Sequence, residues 1–68
     1  MEFTVVLTCE EGVYNASVPA LPGCFTWGNT KKHALKNARE AIELYLESLA
    51  AAGEPVPVEE GIHRVKVG

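Results

Sequence analysis

The chain has 68 residues, 47% of them hydrophobic, with nine acidic and six basic side chains and a formal net charge of −3. That length bounds it to one compact domain spanning 1–68, burying only about 60% of its unfolded surface, and the acidic balance excludes a protein that wraps a phosphate backbone by itself, which needs a basic face. No apolar run reaches the roughly 18 residues of a membrane span, no secretory leader opens the chain, and the two cysteines lack the spacing of a disulfide framework, so the expectation is a cytoplasmic protein with reduced thiols and no membrane association.

In chain order, "EFTVVLTCE" alternates Phe3, Val5, Leu7 and Cys9 against Glu2, Thr4, Val6 and Thr8, the two-residue period of a half-buried strand, predicted over 2–9. "EEG" at 10–12 is a turn into "VYNASV", the second strand of an antiparallel hairpin, predicted over 13–18. Pro19 and Pro22 close that strand because neither can donate to a ladder, and Pro22-Gly23 suits a type II turn. "CFTWG" then resumes as a third strand. Thr30 stands at an N-cap position, and behind it Leu35, Ala38, Ile42, Tyr45 and Leu49 recur at three- and four-residue steps, widened by Ala34, Ala41 and Leu46. This predicts an amphipathic helix over 31–52, stopped by Gly53 as a left-handed C-cap and by Pro55 and Pro57 beyond it. "EEGIHRVKVG" reads as a closing strand. The expected fold class is therefore α+β: a small antiparallel sheet with one packed helix, in the order βββαβ.

The run "YNASVPALPGCFTWGNTKKHALKNAREAIELYLESL" followed by "GEPVP" resembles the HicB family of antitoxin-like proteins, over residues 1 to 58. The pattern is carried by Tyr14 and Ala16, then Pro19, Leu21-Pro22-Gly23-Cys24, Gly28 and Thr30, with Ala41-Ile42 in the helix. The resemblance implies a partial RNase H-like fold and a role as neutralising partner of HicA, a small basic RNA-cleaving toxin. Members of the family usually append a helix-turn-helix or ribbon-helix-helix segment that binds operator DNA. After Val67 no chain remains to build one, so no DNA binding by this chain alone is expected. His33, three residues after the cap, leaves the capping box half made, since Glu or Gln would stand there. Two other readings are a solitary HicB-like oligomeric domain with another protein or small-molecule partner, and a degenerate RNase H-like nuclease.

The nuclease reading is weakened by composition. Two-metal phosphoryl chemistry needs carboxylates converging on ions about 4 Å apart, whereas the chain has no aspartate and its glutamates are dispersed over hairpin, helix and C-terminal segment. Cys9 and Cys24 are expected to pack as small buried hydrophobes, the two histidines lack metal-ligand spacing, and turn geometry is expected to explain both Gly23 and Gly28. The chain is thus expected to be non-enzymatic, with no catalytic residue, metal or cofactor.

The candidate contact residues lie elsewhere. Along the helix, Lys31, Lys32, Lys36 and Arg39 occupy the N-terminal half and Glu40, Glu43 and Glu47 the C-terminal half, opposing the macrodipole at both ends. Such a dipolar surface suits a docked partner, and Lys31, Lys32 and His33 are a candidate anion-holding group. On the third strand, alternation puts Phe25 and Trp27 on one face and Cys24, Thr26 and Gly28 on the other. If the helix covers the Cys24 face, the two aromatics are left on an open face, where contiguous apolar surface marks an interface. A homodimer or higher homo-oligomer is expected on that ground and on the small core.

Overall fold

In a computed structural model describing residues 2–57 and 65–66, three antiparallel strands are followed by one helix. They are β1 (Val6–Glu10), β2 (Val13–Ser17), β3 (Phe25–Gly28) and α1 (Lys31–Ala52), with sheet order β1-β2-β3. The α+β class and the βββα order match the expectation from sequence. The expected closing strand falls almost wholly outside the described residues.

β1 begins later than residue 2 and runs one residue further than 9. Its first rung pairs Val6 with Ser17; the next positions would set Val5 against Val18 and Thr4 against Pro19. The Val18 N–H faces β3, donating to the Cys24 carbonyl at 3.1 Å, so the next bond toward β1 would need an N–H from Pro19, which has none. The ladder stops there, and Phe3 and Val5 instead pack half-buried against Val18, Leu21 and Cys24. At the other end the hairpin needs only Glu11 and Gly12, with φ of 51° and 78°. Two positive φ values in a two-residue connection are what a type I′ turn requires, so Glu10 stays in the strand opposite Val13.

Between β2 and β3 the chain makes two successive tight turns. Leu21 N–H donates to the Val18 carbonyl at 3.0 Å and Cys24 N–H to the Leu21 carbonyl at 3.0 Å. Gly23, at φ 80°, takes the position of the second turn that an L side chain adopts only with strain. These turns fold Leu21 under the sheet, where it is the largest fully buried side chain.

The helix spans Lys31–Ala52 as its periodicity predicts, capped by the Thr30 hydroxyl accepting from His33 N–H at 3.0 Å and by Gly53 at φ 71°. It lies across β3 and, to a lesser extent, β2. Close approach is made by small residues: Ala34 and Ala38 are fully buried against a sheet whose facing positions include Ala16 and Gly28. The role expected for Gly28 needs correction. Its φ is not positive; it is a glycine because a Cβ there would lie 2.6 Å from the Ala34 backbone nitrogen. The buried stripe is likewise Ala34, Ala38 and, half-buried, Ala41, Ile42 and Tyr45, while Leu35 stays 41% exposed. Because the helix sits over β3 and β2, the edge strand β1 is left less covered, and Cys9, expected to pack, is exposed while Cys24 is buried.

Candidate protein-binding surfaces

The strand register fixes which side chains share the face turned away from the helix. One row across the sheet is Val6, Ser17 and Phe25; the next is Thr8, Asn15 and Trp27. Phe25 is 74% and Trp27 58% exposed, and Val6 adds a third exposed apolar side chain. Neither row contains an ionisable group. Two large aromatics therefore stand in solvent on this face.

Phe25 also forms one wall of a groove of about 600 Å³ between β3 and the C-terminal half of α1, floored by Ala41, Tyr45 and Leu49 and flanked by Leu44 and Ser48. Two hydrogen bonds set its shape. Tyr45 O–H donates to the Pro22 carbonyl at 2.9 Å, tying the helix to the turn before β3. Asn37 Nδ2 donates to the Trp27 carbonyl at 2.8 Å. Among the described residues β3 is an edge strand, and the bond from Val18 to Cys24 sets its phase. Cys24, Thr26 and Gly28 turn their backbone groups to β2, and Phe25 and Trp27 turn theirs outward. The amide of Asn37 therefore caps one end of an otherwise open edge.

Charge on the helix is segregated as the sequence order implies. The first turn has no acid and the last turn no base. Lys31 and Lys32 are exposed at the start, and Glu40, Glu43 and Glu47 are exposed further along. Arg39 Nε donates to Glu43 Oε1 at 3.2 Å, an i,i+4 pair open to water on both sides and worth at most a few tenths of a kcal/mol. The helix thus joins the Lys31/Lys32 end to the Glu43/Glu47 region without bringing either to the aromatics. In its acidic half, Leu44, 65% exposed, lines the groove, whereas Glu43 lines a separate recess with Phe3, Val5, Ile42 and Leu46.

The remaining singled-out residues are architectural in their placement. Tyr14 pairs with Gly28 and Ala16 with Thr26 on the helix-side face. Pro19 and Pro22 are exposed in the turns, and Leu21 and Cys24 are buried with Val18. Burial pushes the Cys24 thiol above its ordinary value. Among the described residues no group of three or more His, Cys, Asp or Glu side chains could hold a metal ion, and no helix is long and apolar enough to cross a membrane.

Residues 3–67 match the family described as HicB-like antitoxin of bacterial toxin-antitoxin system. The chain belongs to this family. Among its relatives, this HicB-like chain is 55% identical over 58 residues to the UPF0150 protein Ta0767 of Thermoplasma acidophilum, covering 84% of each protein. It is 49% identical over 59 residues to the UPF0150 protein ssr1765 of Synechocystis, covering 85% of this chain and 75% of that one. Among solved structures it is similar to the N-terminal domain of Burkholderia pseudomallei antitoxin HicB, with a TM-score of 0.79 and 40% identity, covering 91% of this chain and 74% of the other.

Within this HicB-like domain, three residues escaped the reading of sequence. Leu44 falls outside the predicted apolar stripe, which is itself a signal of a second apolar site on the helix. Asn37, a polar residue among helix formers, left no trace of its target ten residues back. Tyr45 was visible as a core residue, but its hydroxyl partner was not.

Proposed function

We propose that this HicB-like chain is a cytoplasmic antitoxin that neutralises a small basic RNA-cleaving toxin of the HicA kind by binding and covering it, with no catalysis of its own. The observation that carries the reading is the fold correspondence to the Burkholderia pseudomallei antitoxin domain, at 40% identity over 91% of this chain. The surface chemistry supports it. Glu40, Glu43 and Glu47 stand exposed on one helix, in a chain of net charge −3, and an acidic stripe steers a basic protein toward encounter. Leu44 among those acids supplies an apolar contact that slows dissociation.

The test is co-expression with the HicA-like protein encoded nearest to it. Restored growth together with a stable copurifying complex supports neutralisation. Failure of this chain to bind that toxin at micromolar concentration, or to relieve its toxicity, sinks the reading. Nuclease activity of the pure chain that survives repurification and is abolished by chelator would overturn the non-enzymatic half.

A further inference from the structure

We propose that the recess between α1 and the segment leading into β1 is the seat for an apolar side chain of the toxin that has lysine or arginine beside it. The inference rests on the antitoxin reading and adds where on this chain a basic partner is held.

The recess is built by two stretches that meet on the helix side of the sheet. Phe3 and Val5 come from the stretch before β1, past the point where the ladder ends, and pack against Val18, Leu21 and Cys24. Ile42 and Leu46, one turn apart on α1, face them across a space of about 330 Å³, with Leu35 at one end. Phe3, Val5, Ile42 and Leu46 are only half-buried and Leu35 is 41% exposed, so apolar surface stays open to water there. A large apolar side chain entering the recess completes the cover that the helix leaves unfinished on the β1 side.

Charge selects the kind of partner that enters. Glu43 stands at the rim and is exposed, and Glu47 and Glu40, one turn on and one turn back, continue the acidic flank. Arg39 at the same rim donates from Nε to Glu43 Oε1 at 3.2 Å with both side chains open to water, and a pair of that kind is weak enough for an incoming cation to displace. Leu44 borders the same acids from their other side, one turn from both Glu40 and Glu47. The open sheet face offers a cation nothing comparable. The rows Val6-Ser17-Phe25 and Thr8-Asn15-Trp27 hold no ionisable group, and Glu54 is the one acid lining the groove beside Phe25. A basic protein is therefore steered to the recess flank, where the exposed rim acids set the rate of encounter and the seated apolar side chain sets the lifetime of the complex.

Titration of the isotope-labelled chain with the HicA-like protein encoded nearest to it locates the contact. On binding, the amide resonances of Val5, Leu35, Ile42 and Leu46 are expected to shift, while the side-chain N–H of Trp27, the single tryptophan, on the opposite face of the sheet, keeps its position. Leu35→Lys places a positive charge at the recess and is expected to weaken the complex roughly thirtyfold or more, mostly through faster dissociation, as for a central anchor. Phe25→Lys makes the same change of charge on the open face and is expected to leave the affinity nearly unchanged. Far-UV circular dichroism with cooperative urea unfolding verifies that each variant folds, and should Leu35→Lys not fold, the resonance map decides alone. A Leu35→Lys variant that binds the toxin as tightly as the parent chain, a Phe25→Lys variant that loses as much as Leu35→Lys, or shifts confined to the aromatic face would each overturn the proposal and leave the antitoxin reading intact. Recess shifts that appear on concentrating the chain alone would assign the recess to a second copy and overturn it as well. Failure of the parent chain to bind that toxin at all would sink the antitoxin reading and the proposal with it.

Discussion

The side-chain amide of Asn37, in the second turn of α1, donates to the backbone carbonyl of Trp27 at 2.8 Å. Together with Tyr45 O–H on the Pro22 carbonyl at 2.9 Å, it fastens the helix to both ends of β3 and holds the groove between them open. The two bonds are the polar frame of a surface whose remaining contacts are apolar.

Removing one of them tests that frame. Asn37→Ala is expected to destabilise the chain by about 1 kcal/mol, the ordinary net worth of a side-chain hydrogen bond with its acceptor left open to water. Urea unfolding followed by Trp27 fluorescence measures it, and an unchanged midpoint would show that the bond contributes nothing to helix attachment.

Gly28 is expected to tolerate substitution poorly. A Cβ at Gly28 meets the Ala34 nitrogen at 2.6 Å and the His33 carbonyl carbon at 2.9 Å. These are backbone atoms of the first helical turn and cannot swing aside as a side-chain end would. Gly28→Ala should therefore cost about 2–3 kcal/mol by overpacking. In a domain of this size that is a large part of the total stability, so thermal unfolding should move down by well over the error of the measurement.

The hairpin offers the opposite outcome. Glu11 adopts φ 51° in the two-residue turn with Gly12, a conformation that Asn tolerates better than Glu. Glu11→Asn is expected to stabilise the chain by about 0.5–1 kcal/mol. A loss of stability would mean that the Glu11 side chain contributes more than its backbone strain removes.

The two thiols should behave as different chemical species. Cys9 is exposed and Cys24 buried, so a single cysteine should be alkylated rapidly in the native chain and the second only on unfolding, with mass spectrometry assigning the first to Cys9. Desolvation raises the Cys24 thiol above its ordinary value of 9.0. The unfolded chain then ionises first as pH rises, so the contribution of the neutral buried thiol is complete below about pH 9 and declines through the folded value above it. Cys24→Ala should flatten that alkaline decline, and equal loss in parent and variant would assign it elsewhere.

If the acidic half of the helix steers a basic toxin, reversing Glu43 and Glu47 together to lysine should slow association several-fold and leave dissociation nearly unchanged. Raised salt should erase most of the difference. Stopped-flow association at two ionic strengths separates this from lost contact energy, which would appear in the dissociation rate. The exposed Arg39 pair with Glu43 is too weak to confuse the result through stability.

The sequence by itself determined the helix over Lys31–Ala52 with both caps, the two turn glycines Gly12 and Gly23 flanking β2, and the α+β order, because these depend on interactions within a few residues: a hydroxyl reaching the amide three positions on, a positive φ that glycine accepts, a 3.6-residue period. It also separated Phe25 and Trp27 from Cys24, since alternation along a strand needs no partner. Which of the two faces is open, and why β1 stops at Val6, required the register between strands, which would bring Thr4 opposite Pro19, a residue with no N–H to give. The tertiary structure alone decided that Gly28 serves the approach of Ala34, that Cys9 lies beyond the cover of the helix, and that Asn37 reaches Trp27. Each is a contact between residues distant along the chain, set by where a rigid helix comes to rest on a twisted sheet, and no local pattern encodes that distance.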